Sequence, residues 1–482
     1  MKLREVLKGI AETGDAGNTE ISSVEYDSRN VKKGSLFVAV KGYETDGHKY
    51  IDSAVENGAA AILAQEARAC AVPLICVPDT RRALAGAGAN FYGRSADRLK
   101  IIGVTGTNGK TTVTYLVKQI LDLVGIKTGL IGTNKNMIGD KILETGRTTP
   151  ESVELQRLFS EMERDGATHV VMEISSHALA LSRTYGIEFE VGAFTNLTQD
   201  HLDFHGTMEK YCRAKSILFS QCRKGVVNAD DKWSEILLEN AKCPVMTYSV
   251  HEKSDLRAEN IRLSEKGVIF TADYKGEKHD VRLAIPGEFS VYNALTAIGI
   301  TLSLGIAFED IVKGLVIAKG VSGRAEVVPL ASDYTVIIDY AHTPDGLVNI
   351  LKTVRGFTKG RLISVFGCGG DRDKTKRPKM GKIAGQMSDI AVVTSDNPRT
   401  EDPLSIIDDI LEGMKEFEGK YEVVPDRREA IAHAMKIAKA GDVIVLAGKG
   451  HETYQILKDR TIDFDEHAIV KEIFAQTEKR EC

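Results

Sequence analysis

The octapeptide Thr105-Gly106-Thr107-Asn108-Gly109-Lys110-Thr111-Thr112 constrains this chain more than any other segment. The apolar run Ile101-Ile102-Gly103-Val104 precedes it, and Val113, Leu116, Val117, Ile120, Leu121 and Val124 follow at helical spacing. A strand, a glycine-rich turn and a helix with one apolar face therefore succeed each other here. Such a junction aims bare backbone N–H groups and a helix N-terminus at one point, and Lys110 adds a full positive charge. A hydroxyl at Thr111 or Thr112 can reach a phosphate-bound Mg²⁺. The spacing departs from the usual phosphate loop, because Val104 stands where the first glycine would fall. A purely structural glycine turn is the plainer alternative. The strand before and the helix after favour a phosphate cradle, and with it a nucleoside triphosphate.

The rest of the chain must supply a second function. Its 482 residues suffice for about three domains. A net charge of -5 argues against general nucleic-acid binding. No apolar run is long enough to span a membrane, and the charged start Met1-Lys2-Leu3-Arg4-Glu5 lacks a signal-peptide core. Seven dispersed cysteines without a Cys-x-x-Cys pair suit free thiols in a reducing cytoplasm.

Three blocks are expected: residues 1–98, 99–321 and 322–482. The first carries short strand-like runs at 35–40 and 60–64, with Asp27-Ser28-Arg29 and Asp46-Gly47-His48 in turn-rich loops. The second alternates apolar strand runs (169–174, 191–197, 225–228) with helical patterns, the sign of a mostly parallel α/β sheet. The third follows Gly323-Arg324 and has strand candidates at 335–338, 362–366, 390–394 and 443–446. In open α/β sheets, ligands bind beyond the carboxyl ends of the strands. The polar clusters of this sequence follow those ends, so two rims are expected to face each other across a cleft.

Glu173 ends an apolar strand and can hold Mg²⁺, the alternative being a solvated strand-end carboxylate. His201, Asp203 and His205 make a weak zinc signal; His201 near a second Mg²⁺ or a structural histidine are the other readings. Lys215, in the helical stretch 208–219, reads by spacing alone as a solvated helix lysine. Asp396-Asn397-Pro398-Arg399 combines a stiff turn with a planar guanidinium fork, and Arg372 and Arg377 lie in another loop of the same block. Arginines converging on one rim suggest a small acidic substrate, and ordinary surface arginines are the alternative.

Taken together these residues resemble the Mur ligases, ATP-dependent amide-bond-forming enzymes of peptidoglycan precursor synthesis. The resemblance covers essentially the whole chain. It rests on residues 105–112, Thr148-Thr149-Pro150, 173–177 with Arg183, 196–206, Gly287-x-Phe289 with Asn293, Gly323-Arg324-x-Glu326, and 339–344. It implies a small mixed α/β N-terminal domain for a UDP-sugar, a central ATP-binding domain with a mostly parallel sheet, and a Rossmann-like C-terminal domain for an amino acid. The implied reaction is ADP-forming addition of meso-diaminopimelate to UDP-N-acetylmuramoyl-L-alanyl-D-glutamate, by a monomer in the cytoplasm.

Roles follow position by position from that resemblance. Gly106, Thr107, Asn108, Gly109, Lys110, Thr111 and Thr112 would bind ATP phosphates, Asn293 the adenine, and Arg324, Asp339 and His342 the rest of the nucleotide. Thr111, Glu173, His201 and Lys215 would serve Mg²⁺, Lys215 as a CO₂-derived carbamate that turns a cation into a metal-binding carboxylate. Lys110, Lys215 and His201 would be catalytic. Ser28, Thr148, Thr149, Ser175 and Arg183 would hold the muramoyl-dipeptide. Arg372, Asp396, Asn397, Arg399, Gly448 and Glu452 would grip the incoming amino acid. The Asp-Asn-Pro-Arg sequence resembles the form that accepts diaminopimelate in place of lysine. Arg399 can take the second carboxylate of diaminopimelate, and would be left unpaired against the cation of lysine. A lysine-adding sibling, a folylpolyglutamate synthetase-like ligase and a nucleotide-dependent switch are the remaining alternatives.

Overall fold

The computed structural model describes residues 1–42, 45–143, 147–264, 266–318 and 320–481. Strands divide among three main sheets and a short hairpin. The first sheet has four parallel strands, Ser23–Glu25, Ser35–Val38, Ala61–Ala64 and Leu74–Cys76, in chain order. The helix Thr80–Phe91 packs over it, started by the Asp79 carboxylate, which accepts from the N–H groups of Arg81 and Arg82. Gly88 lets this helix approach Ser152–Arg164 of the next unit. A Cβ there would lie 3.3 Å from the Val153 backbone.

The second sheet has eleven strands. Its middle is parallel and runs in space through Val245–Ser249, Gly225–Asn228, Val191–Phe194, Lys100–Thr105, His169–Glu173 and Thr128–Ile131. Ile101, Ile102, Val104, Val170, Val171 and Met172 are fully buried, as strands covered on both faces require. Gly103 has no room for a side chain: a Cβ would meet Phe189, Ile174 and Leu218 at 3.0–3.1 Å. Helices Lys110–Leu123 and Glu288–Ser303 pack together against this sheet and share its core with Val104, Val171 and Val191. On one side Leu256–Ser264 continues the parallel pairing and is followed by the antiparallel strands Gly267–Tyr274 and Glu277–Leu283, and on the other side Asn136–Ile138 and Lys141–Leu143 add antiparallel pairs.

The third sheet has six strands in the spatial order Glu326–Val328, Thr335–Asp339, Val443–Ala447, Leu362–Phe366, Ile390–Val393, Tyr421–Val423. All pairs are parallel except the edge pair of the first two. Strand order reverses around Val443–Ala447, which sits between strands that precede it in the chain. The crevice above such a point is where ligands enter. Among the described residues no helix is long and apolar enough to cross a membrane.

Candidate active site

The strand Lys100–Thr105 turns through Gly106, at φ 144°, and Gly109, at φ 87°, into the helix beginning at Lys110. Both glycines are obligatory. A Cβ on Gly106 would stand 1.9 Å from Thr195 Oγ1, and one on Gly109 would stand 2.3 Å from Asn293 Oδ1. The end of the neighbouring strand fastens the loop from outside. Asn196 Oδ1 accepts from the Asn108 N–H at 2.9 Å, and Thr195 Oγ1 donates to the Asn108 carbonyl at 2.6 Å. Lys110 Nζ donates to the carbonyls of Gly106 and Thr107 at 3.0 and 2.8 Å. Burial holds its ammonium below the ordinary lysine range. Thr111 and Thr112 are buried at the helix start.

Glu173, 1% exposed, ends the adjacent strand beside this loop. Its carboxylate accepts from the Thr133 N–H at 2.9 Å and the Thr133 hydroxyl at 3.1 Å. A solvated strand-end glutamate is therefore the wrong picture. Thr149 is equally buried and ties the strand ends together, donating to the Glu173 carbonyl and accepting from the Ser175 N–H. His201 is held at φ 52°, with Nε2 3.4 Å from Asp200 Oδ2 and its ring edge-on to His177 at 4.8 Å. Burial pushes its imidazole down to about 4, so the ring is neutral near pH 7. His205 is buried and bonded through Nε2 to Ser176 Oγ, which gives it a packing role.

Lys215 overturns the reading from spacing. It is 1% exposed, its Nζ donates to the Gly106 carbonyl at 2.8 Å, and it lies over the Tyr211 ring at 4.6 Å. Among the described residues no carboxylate ion-pairs with it. Burial, reinforced by the Lys110 charge, holds its amine well below the ordinary lysine range. The helix Met208–Ser216 therefore delivers a buried amine to the back of the phosphate loop.

The third sheet contributes the opposite rim. Arg324 donates to Thr111 Oγ1 at 3.2 Å and stacks over Tyr340 at 4.7 Å. Asp339 Oδ2 accepts from the Ala325 N–H at 2.7 Å, and burial raises its carboxyl to about 6 despite the attraction of Arg324. His342 Nδ1 bonds the Tyr340 carbonyl at 2.8 Å, and burial pushes its ring down to about 4. Asp345 crosses to the loop itself: its Oδ2 accepts from Asn108 at 2.7 Å and Thr198 at 3.3 Å. Arg399, at φ 55°, directs Nη1 to the Gly370 carbonyl at 2.8 Å and has no carboxylate within ion-pairing distance among the described residues. Burial, and after it the Arg372 charge, lowers its affinity for its proton. Asp396 and Asn397 are buried beneath it, with Asp396 Oδ2 2.4 Å from where a Cβ on Gly448 would lie. Arg377 departs from the expected convergence of arginines. It is 1% exposed and spent on Glu401 and Asp409, both at 2.8 Å, so it is a structural cation.

One cavity of about 940 Å³ joins the two rims. Its walls include Lys110, Thr111, Glu173, His201 and Asn293 at one end and Arg372, Asp396, Asn397, Arg399, Gly448 and Glu452 at the other, with Arg324, Asp339 and His342 between. Thr148 also lines it, its hydroxyl bonded to Thr133 Oγ1 at 3.0 Å. Gly106 and Lys215 stand behind its wall. Arg183 anchors nearby on the Thr149 carbonyl at 3.0 Å and on Glu151 at 3.2 Å. Ser28 starts a 3-10 turn in the first unit and is not part of this wall. His177, Asp345 and Tyr340 line the cavity and Lys449 is buried behind it, although no role follows for them from the sequence. His177, Tyr340 and Lys449 carried a signal, since Ser175-Ser176-His177, Asp339-Tyr340-Ala341-His342 and Gly448-Lys449-Gly450-His451-Glu452 each follow a strand end, whereas Asp345 carried none.

Comparison with known proteins gives the same outline over the whole chain. Residues 20–92 match the model "Mur ligase family, catalytic domain", residues 104–301 "Mur ligase middle domain" and residues 323–450 "Mur ligase, glutamate ligase domain". A protein of Clostridium tetani named UDP-N-acetylmuramoyl-L-alanyl-D-glutamate--2,6-diaminopimelate ligase is 52% identical, over 99% of this chain and 100% of its own. A protein of the same name from Caldanaerobacter subterraneus subsp. tengcongensis is 48% identical over 99% and 100%. A solved structure of a UDP-N-acetylmuramoyl-L-alanyl-D-glutamate--2,6-diaminopimelate ligase superposes with a TM-score of 0.71 at 31% identity, covering 99% of both chains. With domain models in this order and relatives of this likeness end to end, the chain belongs to the Mur ligase family.

Proposed function

We propose that this chain joins meso-diaminopimelate to UDP-N-acetylmuramoyl-L-alanyl-D-glutamate and cleaves ATP to ADP and phosphate. One observation carries the reading: a single cavity runs from the glycine-rich loop at Lys110 to Arg399, which has no carboxylate within ion-pairing distance among the described residues and stands with Asp396 and Glu452 at that end. The division of labour follows blocks 1–98, 99–321 and 322–482, which take the UDP-sugar, the nucleotide and the amino acid. All three stations lie on one chain, which supports a monomeric catalyst, and ATP supply supports a cytoplasmic one.

The γ-carboxylate of the D-glutamyl residue attacks the γ-phosphorus of ATP, the bond to the ADP oxygen breaks, and an acyl phosphate forms. The amine of the L-centre of diaminopimelate, having shed a proton, then attacks the acyl carbon. The C–O bond to phosphate breaks and the amide remains. No enzyme nucleophile is needed, so the chain's task is to position and to neutralise. Lys110 and the loop N–H groups face the transferring phosphoryl. Thr148, Thr149, Ser175 and Arg183 orient the dipeptide, with Ser28 toward the uridine. Asn293 meets the adenine, and Arg324, Asp339 and His342 hold the rest of the nucleotide between the rims.

The residues beside the loop fit Mg²⁺ and a carbamate. Glu173 offers a buried hard oxygen toward the cavity, Thr111 a hydroxyl, and His201 a neutral ring. Lys215 is a buried amine without a carboxylate partner among the described residues, the form that adds CO₂ with loss of a proton. Bound Mg²⁺ neutralises charge on the transferring phosphoryl. Among the described residues the only three-ligand cluster of acidic and histidine groups, Glu277, His279 and Glu309, lies elsewhere.

Phosphate release from ATP tests the reading. With the UDP-muramoyl-dipeptide present, meso-diaminopimelate is expected to drive release, and L-lysine at least roughly a hundredfold less efficiently, because lysine leaves Arg399 facing a cation. Release with lysine alone overturns the specificity. Release without either co-substrate overturns the ligase.

A further inference from the structure

Behind the wall that faces the amino acid lies a lysine with no access to it. Lys449 is fully buried and does not line the cavity, whereas its neighbours Gly448 and Glu452 do. Its Nζ donates to Asn397 Oδ1 at 3.2 Å and to Glu452 Oε2 at 3.1 Å, under the rings of Tyr454 and Phe464 at 5.7 and 5.9 Å. Asn397 Oδ1 also accepts from the Ile456 N–H at 2.9 Å. Two donors on one oxygen fix which way the amide points. Asn397 Nδ2 must then face Glu452, and it donates to Oε2 at 2.9 Å. Its second N–H remains for the cavity. Glu452 Oε2 is taken up by two donors, which leaves Oε1, 3.4 Å from the Tyr340 hydroxyl, as the acceptor toward the cavity.

We infer that Lys449 is a specificity-determining positioning residue: it locks Asn397 as a donor and Glu452 as an acceptor, a pair matched to the carboxylate and ammonium on one carbon. Together with Arg399 this pair recognises the distal zwitterionic centre of a diamino diacid. An unlocked Asn397 could turn its oxygen to the cavity and repel a carboxylate. An amino acid with only an ammonium at that end uses Glu452 alone and depends less on the lock. The inference rests on the ligase reading above and deepens it.

Lys449→Met keeps the length of the side chain and removes the ammonium. The expected result is a rise in KM for meso-diaminopimelate of roughly ten- to a hundredfold, the worth of a charged hydrogen bond. The kcat at saturation and the KM for ATP should stay within about threefold of the parent, and the preference for diaminopimelate over L-lysine should shrink by a similar factor. Adding Lys449→Met to Asn397→Ala should change the KM little further, since the lysine acts through the amide. Should Lys449→Met fail to fold, Lys449→Leu, which likewise carries no donor, is read the same way. An unchanged KM and an unchanged preference, in an enzyme whose parent is active, overturn the inference alone. A KM that rises equally for both amino acids and for ATP marks Lys449 as a packing residue and also overturns it. A parent that shows no diaminopimelate-dependent phosphate release overturns the ligase reading instead.

Discussion

Lys215 shows how far a single residue can lie from what its spacing suggests. Helical periodicity around it is that of a surface helix, yet the side chain is 1% exposed and bonded to the Gly106 carbonyl. A buried amine without a carboxylate is costly, and proteins rarely keep one without use. Lys215→Ala should lower ligation by at least about a hundredfold, as removal of a preorganised charge-stabilising group does. A short carboxylate such as formate should restore part of that activity by occupying the vacated space. Lys215→Met should also raise the melting temperature, since it replaces a desolvated polar group by an apolar one of similar length. Full activity without added carboxylate, in either variant, would refute the carbamate. Its resemblance to family members, not its local pattern, made this residue legible, because burial by tertiary packing leaves no trace in the helix around it. Lys110 was legible from its own neighbours, since Gly106 and Gly109 write their backbone geometry into the sequence. The buried pairing of Arg377 with Glu401 and Asp409 was not, because those carboxylates come from elements far along the chain.

At the level of strands and helices, the parallel cores announced themselves. Runs such as 170–172 and 443–446 are apolar on consecutive positions, as strands covered on both faces are, and both lie in strands. The mutually antiparallel strands Leu256–Ser264, Gly267–Tyr274 and Glu277–Leu283 were not anticipated. Their one-sided burial alternates weakly, and charged residues on the open face mask the period. The polar residues of the site stand where strand ends feed loops, and close packing there is the reason for the glycines. Gly106→Ala is the sharpest test of that junction. Its Cβ would fall within 1.9 Å of Thr195 Oγ1, on a backbone at φ 144° that an L residue rarely adopts. The loop must shift, and with it the N–H groups that meet phosphate. The expected outcome is loss of ATP binding by at least about tenfold, read by nucleotide titration, while the far-UV circular dichroism stays that of the parent. Binding within twofold of the parent would mean that the loop tolerates the side chain and is not the cradle.

For the molecule as a whole, the units meet through polar side chains around one cavity. Asp345 accepts from Asn108, Lys379 donates to Gln199, and Asn134 donates to the Ser322 carbonyl, each joining the second and third units. Such contacts can be exchanged as substrates enter, and they suit a cleft that closes on its ligands. The same arrangement buries ionisable groups that solvent would otherwise charge. His169, His201, His205, His342 and His451 are each pushed down to about 4, in every case chiefly by burial. Between pH 6.5 and 4 the unfolded chain therefore binds protons that the folded chain excludes, so these rings contribute stability above pH 6.5 that is lost as the pH falls. Asp339, raised to about 6, works the other way, because the folded chain keeps its proton where the unfolded chain sheds it. Five rings against one carboxyl leave a net uptake of about three to four protons on unfolding at pH 5. The melting temperature should accordingly drop steeply from pH 6.5 to 4.5, and calorimetry in buffers of different ionisation enthalpy should count the uptake directly. A melting temperature flat across that window, or proton release in place of uptake, would mean that these rings are already charged in the folded protein and that their burial does not keep the proton out.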